Sequence, residues 1–170
     1  MTTKQNILAI DPGLREMGVA RFDGKELHDY GVKSLRRPGN AKKRTAFLCE
    51  ILVCLFEEKQ PDILALEKNS FSNIEQNQPL MVAIQKIKKL ASEAKIPVWE
   101  FAPNTIKKEI ANDGRATKRQ IANVLSAQFP ELKAYRESNR KWRERYFQNM
   151  FDAVACGLTY IKLYEEKRLQ

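Results

Sequence analysis

The chain has 170 residues, of which 43% are hydrophobic and 30% charged, as expected for one globular domain with a sizeable core. Its net charge of +9 favours phosphate-rich partners, because each cation that neutralises a phosphate releases condensed counterions. No apolar run is long enough to span a membrane, and the N-terminus lacks a secretory signal pattern. We therefore expect a cytoplasmic protein with no membrane partner.

Histidine and cysteine usage excludes several kinds of site. His28 is the single histidine, which rules out histidine-rich metal sites, argues against a Ser-His-Asp triad and is typical of a strand surface position. The three cysteines have no CxxC spacing. Because Cys49 and Cys54 lie in an apolar helical run, we expect buried free thiols there.

Apolar periodicity and turn residues predict the element order β-β-β-α-β-α-β-α-α-α. Asp23-Gly24 is a tight-turn signal, and Pro79 lies near the predicted start of the second helix. The predicted strands are 5–10, 17–23, 26–33, 62–67 and 97–101, and the predicted helices are 41–59, 79–95, 103–111, 117–128 and 146–166. This order indicates an α/β fold with a five-stranded mixed sheet and helices on both faces. Residues 131–145 are rich in Lys and Arg, and we interpret them as a mobile basic loop.

Three acidic residues flank or follow strongly apolar stretches. Asp11 ends NILAID, Glu67 ends DILALE, and Asp152 opens DAVACGL. Right-handed crossovers place the fourth strand beside the first, so Asp11 and Glu67 should lie together at the carboxyl edge of the sheet. Hard carboxylate oxygens on rigid elements suit Mg²⁺ or Mn²⁺, and two such cations can support phosphodiester hydrolysis.

Four ordered motifs carry a family resemblance over nearly the whole chain. IDPG with MGVA, then ALE, then PxxIKKEI with GRATKRQ, then DAVACGL resemble the RuvC family of Holliday-junction resolvases, nucleases with a ribonuclease H-like fold. The resemblance implies a homodimer that binds four-way DNA junctions and makes symmetric nicks leaving 5′-phosphates. It also implies a cytoplasmic, nucleoid-associated enzyme of a bacterium or phage, with an organellar source left open and a branch-migration helicase as a further partner.

The resemblance implies roles for individual residues. Asp11, Glu67 and Asp152 match the catalytic carboxylates, which hold Mg²⁺ (with Mn²⁺ as a substitute) at two ions per site. The family's fourth metal ligand, an Asp or His, falls at Asn149, whose neutral amide oxygen can still coordinate a hard cation. Lys107 and Lys118 match basic residues that contact DNA and support catalysis.

The remaining expected DNA contacts include one departure from the family pattern. The family's wedge aromatic, which stacks into the junction centre, corresponds to Phe71 with an offset of one residue. Basic DNA-contacting side chains are expected at Arg115, Arg140, Lys141 and Arg143. The helix 79–95 is expected to carry the dimer interface, with Met81 and Val82 widening its apolar face.

Two other functions remain open at this point. One is a ribonuclease H-like nuclease that acts on other branched DNA, such as flaps or phage replication intermediates, or on an RNA–DNA hybrid. The other is a non-catalytic junction-binding protein, which the neutral Asn149 favours and the three acids oppose.

Overall fold

A five-stranded mixed sheet organises the fold. The computed structural model describes residues 4–36, 39–68, 74–136 and 141–165. The strands are β1 (Asn6–Asp11), β2 (Glu16–Asp23), β3 (Glu26–Ser34), β4 (Ile63–Glu67) and β5 (Val98–Phe101), arranged in the order β3-β2-β1-β4-β5. The three consecutive strands β1, β2 and β3 are antiparallel, whereas β4 runs parallel to β1 and to β5. The predicted mixed sheet, with its fourth strand beside the first, is confirmed.

Helices cover both faces of this sheet, as predicted. They are α1 (Ala41–Lys59), α2 (Ile74–Glu93), α3 (Pro103–Ala111), α4 (Lys118–Gln128), α5 (Lys133–Arg136) and α6 (Lys141–Tyr160). Side chains alternate across each strand, so one set of strand residues packs against α1 and α2 and the other against α3, α4 and α6. None of the helices within the described ranges is long and apolar enough to cross a membrane.

Two glycines allow α6 to lie close to the sheet. A Cβ atom added at Gly157 would lie 2.5 Å from the ring of Phe22 on β2. One added at Gly18 would lie 1.8 Å from the backbone carbonyl oxygen of Asn149. Gly18 is also the cross-strand partner of Asp11. The absence of side chains at these positions therefore sets the position of α6 relative to the end of β1.

The prediction of a mobile basic loop at 131–145 is wrong for its described part. A 3-10 turn at Pro130–Leu132 leads into α5, and α6 begins at Lys141, five residues before its predicted start. The ring of Tyr135 lies 5.7 Å from that of Tyr30 and 4.8 Å from that of Phe147, both centroid to centroid. These edge contacts pack α5 against β3 and α6. The charged composition of residues 131–145 does not indicate them.

Two further details of the prediction are wrong. Pro79 lies inside α2, which begins at Ile74, and is not at its start. Cys54 is exposed and Cys49 is half-buried, although both are free as expected. The buried face of α1 consists of Leu48, Leu52, Leu55 and Phe56. The two cysteines lie beside this stripe, because an apolar run around a helix does not bury every side.

Candidate active site

Two carboxylates lie side by side at one edge of the sheet. The parallel pairing of β1 with β4 aligns Ile10 with Leu66, so Asp11 and Glu67, the last residues of the two strands, are neighbours. Their preceding residues are almost fully buried. The juxtaposition expected from the sequence is therefore present, and its geometry is set by strand register.

The third predicted acid, Asp152, reaches the same edge from α6. Its side chain is only 15% exposed. Lys118 Nζ lies 2.7 Å from its Oδ2 atom, and Gln148 Nε2 donates a 2.8 Å hydrogen bond to its Oδ1 atom. Both carboxylate oxygens of Asp152 thus have a partner in the protein.

The start of α4 positions Lys118. Thr117 caps this helix: its hydroxyl oxygen accepts from the backbone N–H of Gln120, and the Gln120 side chain accepts from the backbone N–H of Thr117. This reciprocal capping box stabilises the first turn. Lys118 is the first helical residue, so a well-defined backbone carries its ammonium group to Asp152.

The carboxylates are electrostatically coupled. Burial raises the pKa of Asp11 to about 8, and the nearby charges of Asp152 and Glu67 act in the same direction. Burial is also the main cause of the raised pKa of Glu67, with a further contribution from Asp152. Such shifts mean that crowding several carboxylates where water is partly excluded disfavours their ionised forms.

Two lysines oppose this accumulation of negative charge. Lys118 lowers the pKa of both Asp11 and Glu67, and Lys107, on α3, lowers that of Glu67. Burial on its own would lower the pKa of Lys118, but the carboxylates, Asp152 foremost, raise it. The structure therefore brings together five of the predicted site residues: the three acids and these two lysines.

The other predicted residues have different positions. Asn149 is half-buried and lies one turn before Asp152 on α6, with its carbonyl against Gly18. Arg115 is exposed in the turn between α3 and α4, three residues before Lys118. Outside the described residues fall Phe71 and Arg140, as do the side chains of Lys141 and Arg143, whose backbones belong to the first turn of α6.

The donor chemistry of this site fits a hard divalent cation. Asp11 is a buried carboxyl group next to other acidic side chains. A bound cation would offset both the loss of hydration and the repulsion that disfavour its ionised form. Within the described ranges, however, no group of three or more His, Cys, Asp or Glu side chains is arranged closely enough to hold a metal ion. The Lys118 ammonium supplies the positive charge at Asp152 in this structure.

Gln148 contacts Asp152 directly and was not among the predicted site residues. A usable signal exists, because a Gln four residues before an Asp on one helix can form a side-chain hydrogen bond. The predicted helix 146–166 already contains both residues, so this pair could be proposed from the sequence.

Comparison with known proteins identifies relatives across most of the chain. The family model for the crossover junction endodeoxyribonuclease RuvC matches residues 7–137. A Bacteroides fragilis protein of that name is 34% identical over 124 residues, which is 70% of this chain and 66% of that protein. An Akkermansia muciniphila protein of the same name is 29% identical over 160 residues, covering 91% of this chain and 89% of that protein. The chain therefore spans slightly less than two thirds of the Bacteroides relative and most of the Akkermansia one.

Solved structures share the fold. RuvC of Thermus thermophilus in complex with a Holliday junction substrate has a TM-score of 0.77 at 21% identity, over 96% of both chains. The yeast mitochondrial Holliday junction resolvase Ydc2 has a TM-score of 0.69 at 13% identity, over 94% of this chain and 78% of that chain. The expected ribonuclease H-like architecture is thus confirmed.

Proposed function

The chain belongs to the RuvC family of crossover junction endodeoxyribonucleases, and from that premise we propose that it resolves four-way DNA junctions. The proposed reaction is metal-dependent phosphodiester hydrolysis that nicks two strands symmetrically and leaves 5′-phosphates. One observation carries the proposal: Asp11, Glu67, Asp152 and Lys118 meet at the carboxyl edge of β1 and β4. Ligands usually bind α/β sheets at such an edge.

The three carboxylates would hold the metal, with Asn149 as a neutral fourth ligand one turn before Asp152. RuvC family members are metal-dependent nucleases, and we assign Mg²⁺, replaceable by Mn²⁺, at two ions per site. Bound cations of this kind activate a water molecule and stabilise the leaving 3′-oxygen. Burial of Asp11 and its neighbours supports the assignment, because hard oxygen ligands from rigid elements suit Mg²⁺.

Lys118 and Lys107 would act on the scissile phosphate. Both lie within electrostatic reach of the carboxylates, and the side chain of Lys118 is 65% exposed. Lys118 can therefore exchange its contact with Asp152 for a phosphate oxygen without leaving the site. Positive charge placed where negative charge develops lowers the barrier to phosphoryl transfer.

Junction binding needs contacts beyond the acids. We assign backbone contacts to Arg115 and to Arg140, Lys141 and Arg143, in keeping with the net charge of +9. Phe71, four residues after Glu67, is the proposed wedge at the junction centre, where base–aromatic stacking is worth about 1–3 kcal/mol. Phosphate contacts alone do not distinguish a branched from a linear duplex, so the wedge would supply selectivity.

The proposed assembly is a homodimer of single nuclease domains. A two-fold dimer matches a junction with two equivalent strands, and Val82 on α2 is 42% exposed. We place the enzyme in the cytoplasm with the nucleoid and expect a branch-migration helicase as its partner.

A substrate panel tests this function. Purified protein is incubated with four-way junction, flap, linear duplex and RNA–DNA hybrid, each with Mg²⁺, Mn²⁺ or EDTA. We expect paired symmetric nicks on the junction with either metal and no cleavage in EDTA. Phe71→Ala should lower junction cleavage by about tenfold, the equivalent of roughly 1.4 kcal/mol. Cleavage of flap or hybrid in preference to the junction would contradict the proposal.

A further inference from the structure

The two oxygens of Asp152 have partners of different kinds. Oδ1 accepts a 2.8 Å hydrogen bond from Gln148 Nε2, and Oδ2 lies 2.7 Å from Lys118 Nζ. Gln148 belongs to α6, one turn before Asp152, and is half-buried. Lys118 comes from a different helix and its side chain is 65% exposed.

These differences determine how durable each contact is. An exposed ion pair is weakened by solvent and salt, so the ammonium can be displaced. The Gln148 contact is part-buried and spans one turn of a single helix, so solvent and salt weaken it less than they weaken the ion pair. Only the amide nitrogen of Gln148 can face Oδ1, because its carbonyl oxygen would repel a carboxylate.

We infer that Gln148 is a positioning residue that holds Oδ1 of Asp152 and so leaves Oδ2 to face a divalent cation. The inference rests on the proposed role of Asp152 as a metal ligand. Hydrogen bonds of this type orient ligating carboxylates, and their loss typically costs about 10–100-fold in metal affinity. Gln148 lets Asp152 keep its orientation when Lys118 moves to a phosphate.

The orientation of Asp152 by Gln148 matters more because residue 149 is neutral. With an amide at Asn149, the α6 side of the site depends on the single carboxylate of Asp152. Fixing that carboxylate from its own helix preserves metal affinity without adding charge to an already acidic site.

Direct Mn²⁺ binding without DNA tests the inference. Free Mn²⁺ is titrated by electron paramagnetic resonance against wild-type protein, Gln148→Met and the matched control Gln128→Met, which alters an exposed glutamine at the end of α4. Gln148→Met should weaken Mn²⁺ binding by about tenfold. The control should bind Mn²⁺ as wild type does. Both variants should melt within about 2 °C of wild type when metal-free.

A double variant separates positioning from a general structural role. In an Asp152→Asn background, Gln148→Met should cause no further loss of Mn²⁺ affinity, because the group it orients is already altered. Unchanged affinity in Gln148→Met alone, or an additive loss in the double variant, would overturn the inference. If Asp152→Asn itself leaves Mn²⁺ affinity unchanged, the proposed metal site fails and the inference fails with it.

Discussion

The two faces of the sheet differ in how tightly they are packed. On one face, α6 lies against β1 and β2 so closely that Gly18 and Gly157 have no room for a Cβ atom. On the other, an open cavity of about 640 Å³ is lined by residues of α1, α2 and the loop after β1. Leu14 and Val82 line that cavity and are each 42% exposed.

This difference corresponds to two different tasks. The α6 face carries Asp152 and must hold it in a fixed relation to Asp11 and Glu67, because small displacements in a catalytic site cost large factors in rate. The α1–α2 face carries none of the proposed catalytic carboxylates and leaves apolar surface uncovered. An exposed apolar surface of this kind suits a second copy of the chain.

The largest effect is expected from filling the contact between α6 and β2. Gly18→Val places side-chain atoms where the carbonyl of Asn149 lies, so α6 must move away from the sheet. We expect loss of folded protein, or a melting temperature at least about 10 °C lower. Circular dichroism on heating measures this.

Gly31→Val is the matched control for this substitution. Gly31 lies on β3 opposite Val19, and nothing would lie within 4 Å of an added Cβ atom there. Valine favours strands, so the control should melt at or above the wild-type temperature. Equal destabilisation by the two variants would mean that close packing of α6 is not what holds the site together.

A smaller effect on rate is expected from Lys118. Lys118→Ala should lower single-turnover junction cleavage at saturating protein by about 100-fold, because a cation at the reacting phosphate is lost. Lys89→Ala removes an exposed lysine of α2 that pairs with Glu93 and should cleave as wild type does. If Lys118→Ala lowers junction affinity and leaves the saturated rate unchanged, Lys118 binds DNA and does not assist catalysis.

The oligomeric state of two variants tests whether the α1–α2 face forms the dimer interface. Val82→Glu places like charges opposite each other across a two-fold α2 interface, and should weaken dimerisation by about tenfold or more. Val53→Glu is the control, because Val53 on α1 is 40% exposed but does not line the cavity that Val82 lines. Sedimentation equilibrium should find this control variant dimeric. A Val82→Glu protein that dimerises like wild type would place the interface elsewhere.

The smallest effect is on the stability of the metal-free protein. Burial raises the pKa of Asp11 from 3.8 to about 8, so the folded state gains stability from the protonated acid below pH 3.8 and loses it as the pH rises through about 8. Asp11→Asn introduces a neutral side chain and therefore removes this pH-dependent loss of stability. It should therefore melt about 5 °C above wild type at pH 9 and closer to it at pH 5.

Asp29 provides a control of opposite sign. Lys59 lowers the pKa of Asp29 through a hydrogen bond and its charge. Its stabilising contribution is present above the ordinary pKa of 3.8 and is lost only as the pH falls through the lowered value. Asp29→Asn should therefore show no change in its melting difference between pH 5 and pH 9. A flat difference for Asp11→Asn as well would contradict the electrostatic description of the site.

The sequence predicted the placement of the fourth strand beside the first and the meeting of Asp11 with Glu67, because both follow from local periodicity and general crossover rules. It missed what depends on tertiary contact. Charge density in residues 131–145 indicated a loop, whereas rings of Tyr30 and Phe147 dock Tyr135 and its short helix. Gln148 was missed although the predicted helix 146–166 contains it, because helical spacing alone does not show which polar side chain contacts Asp152.

The burial of the cysteines was also mispredicted, because it too depends on tertiary contacts. An apolar run around α1 predicted burial of Cys54, but a helix buries only the side that faces the sheet. That side carries Leu48, Leu52, Leu55 and Phe56, and Cys54 is exposed.

Single-turnover cleavage of a four-way junction in Mg²⁺ tests the central claim most directly, with binding measured separately in Ca²⁺. Asp11→Asn is compared with wild type and with Asp29→Asn, which alters a carboxylate on β3. Metal catalysis is worth several kcal/mol, so Asp11→Asn should cleave about 1,000-fold more slowly or not at all. It should still bind the junction within about threefold of wild type, and Asp29→Asn should cleave normally. Wild-type cleavage by Asp11→Asn would contradict a metal-dependent site built on Asp11, Glu67 and Asp152.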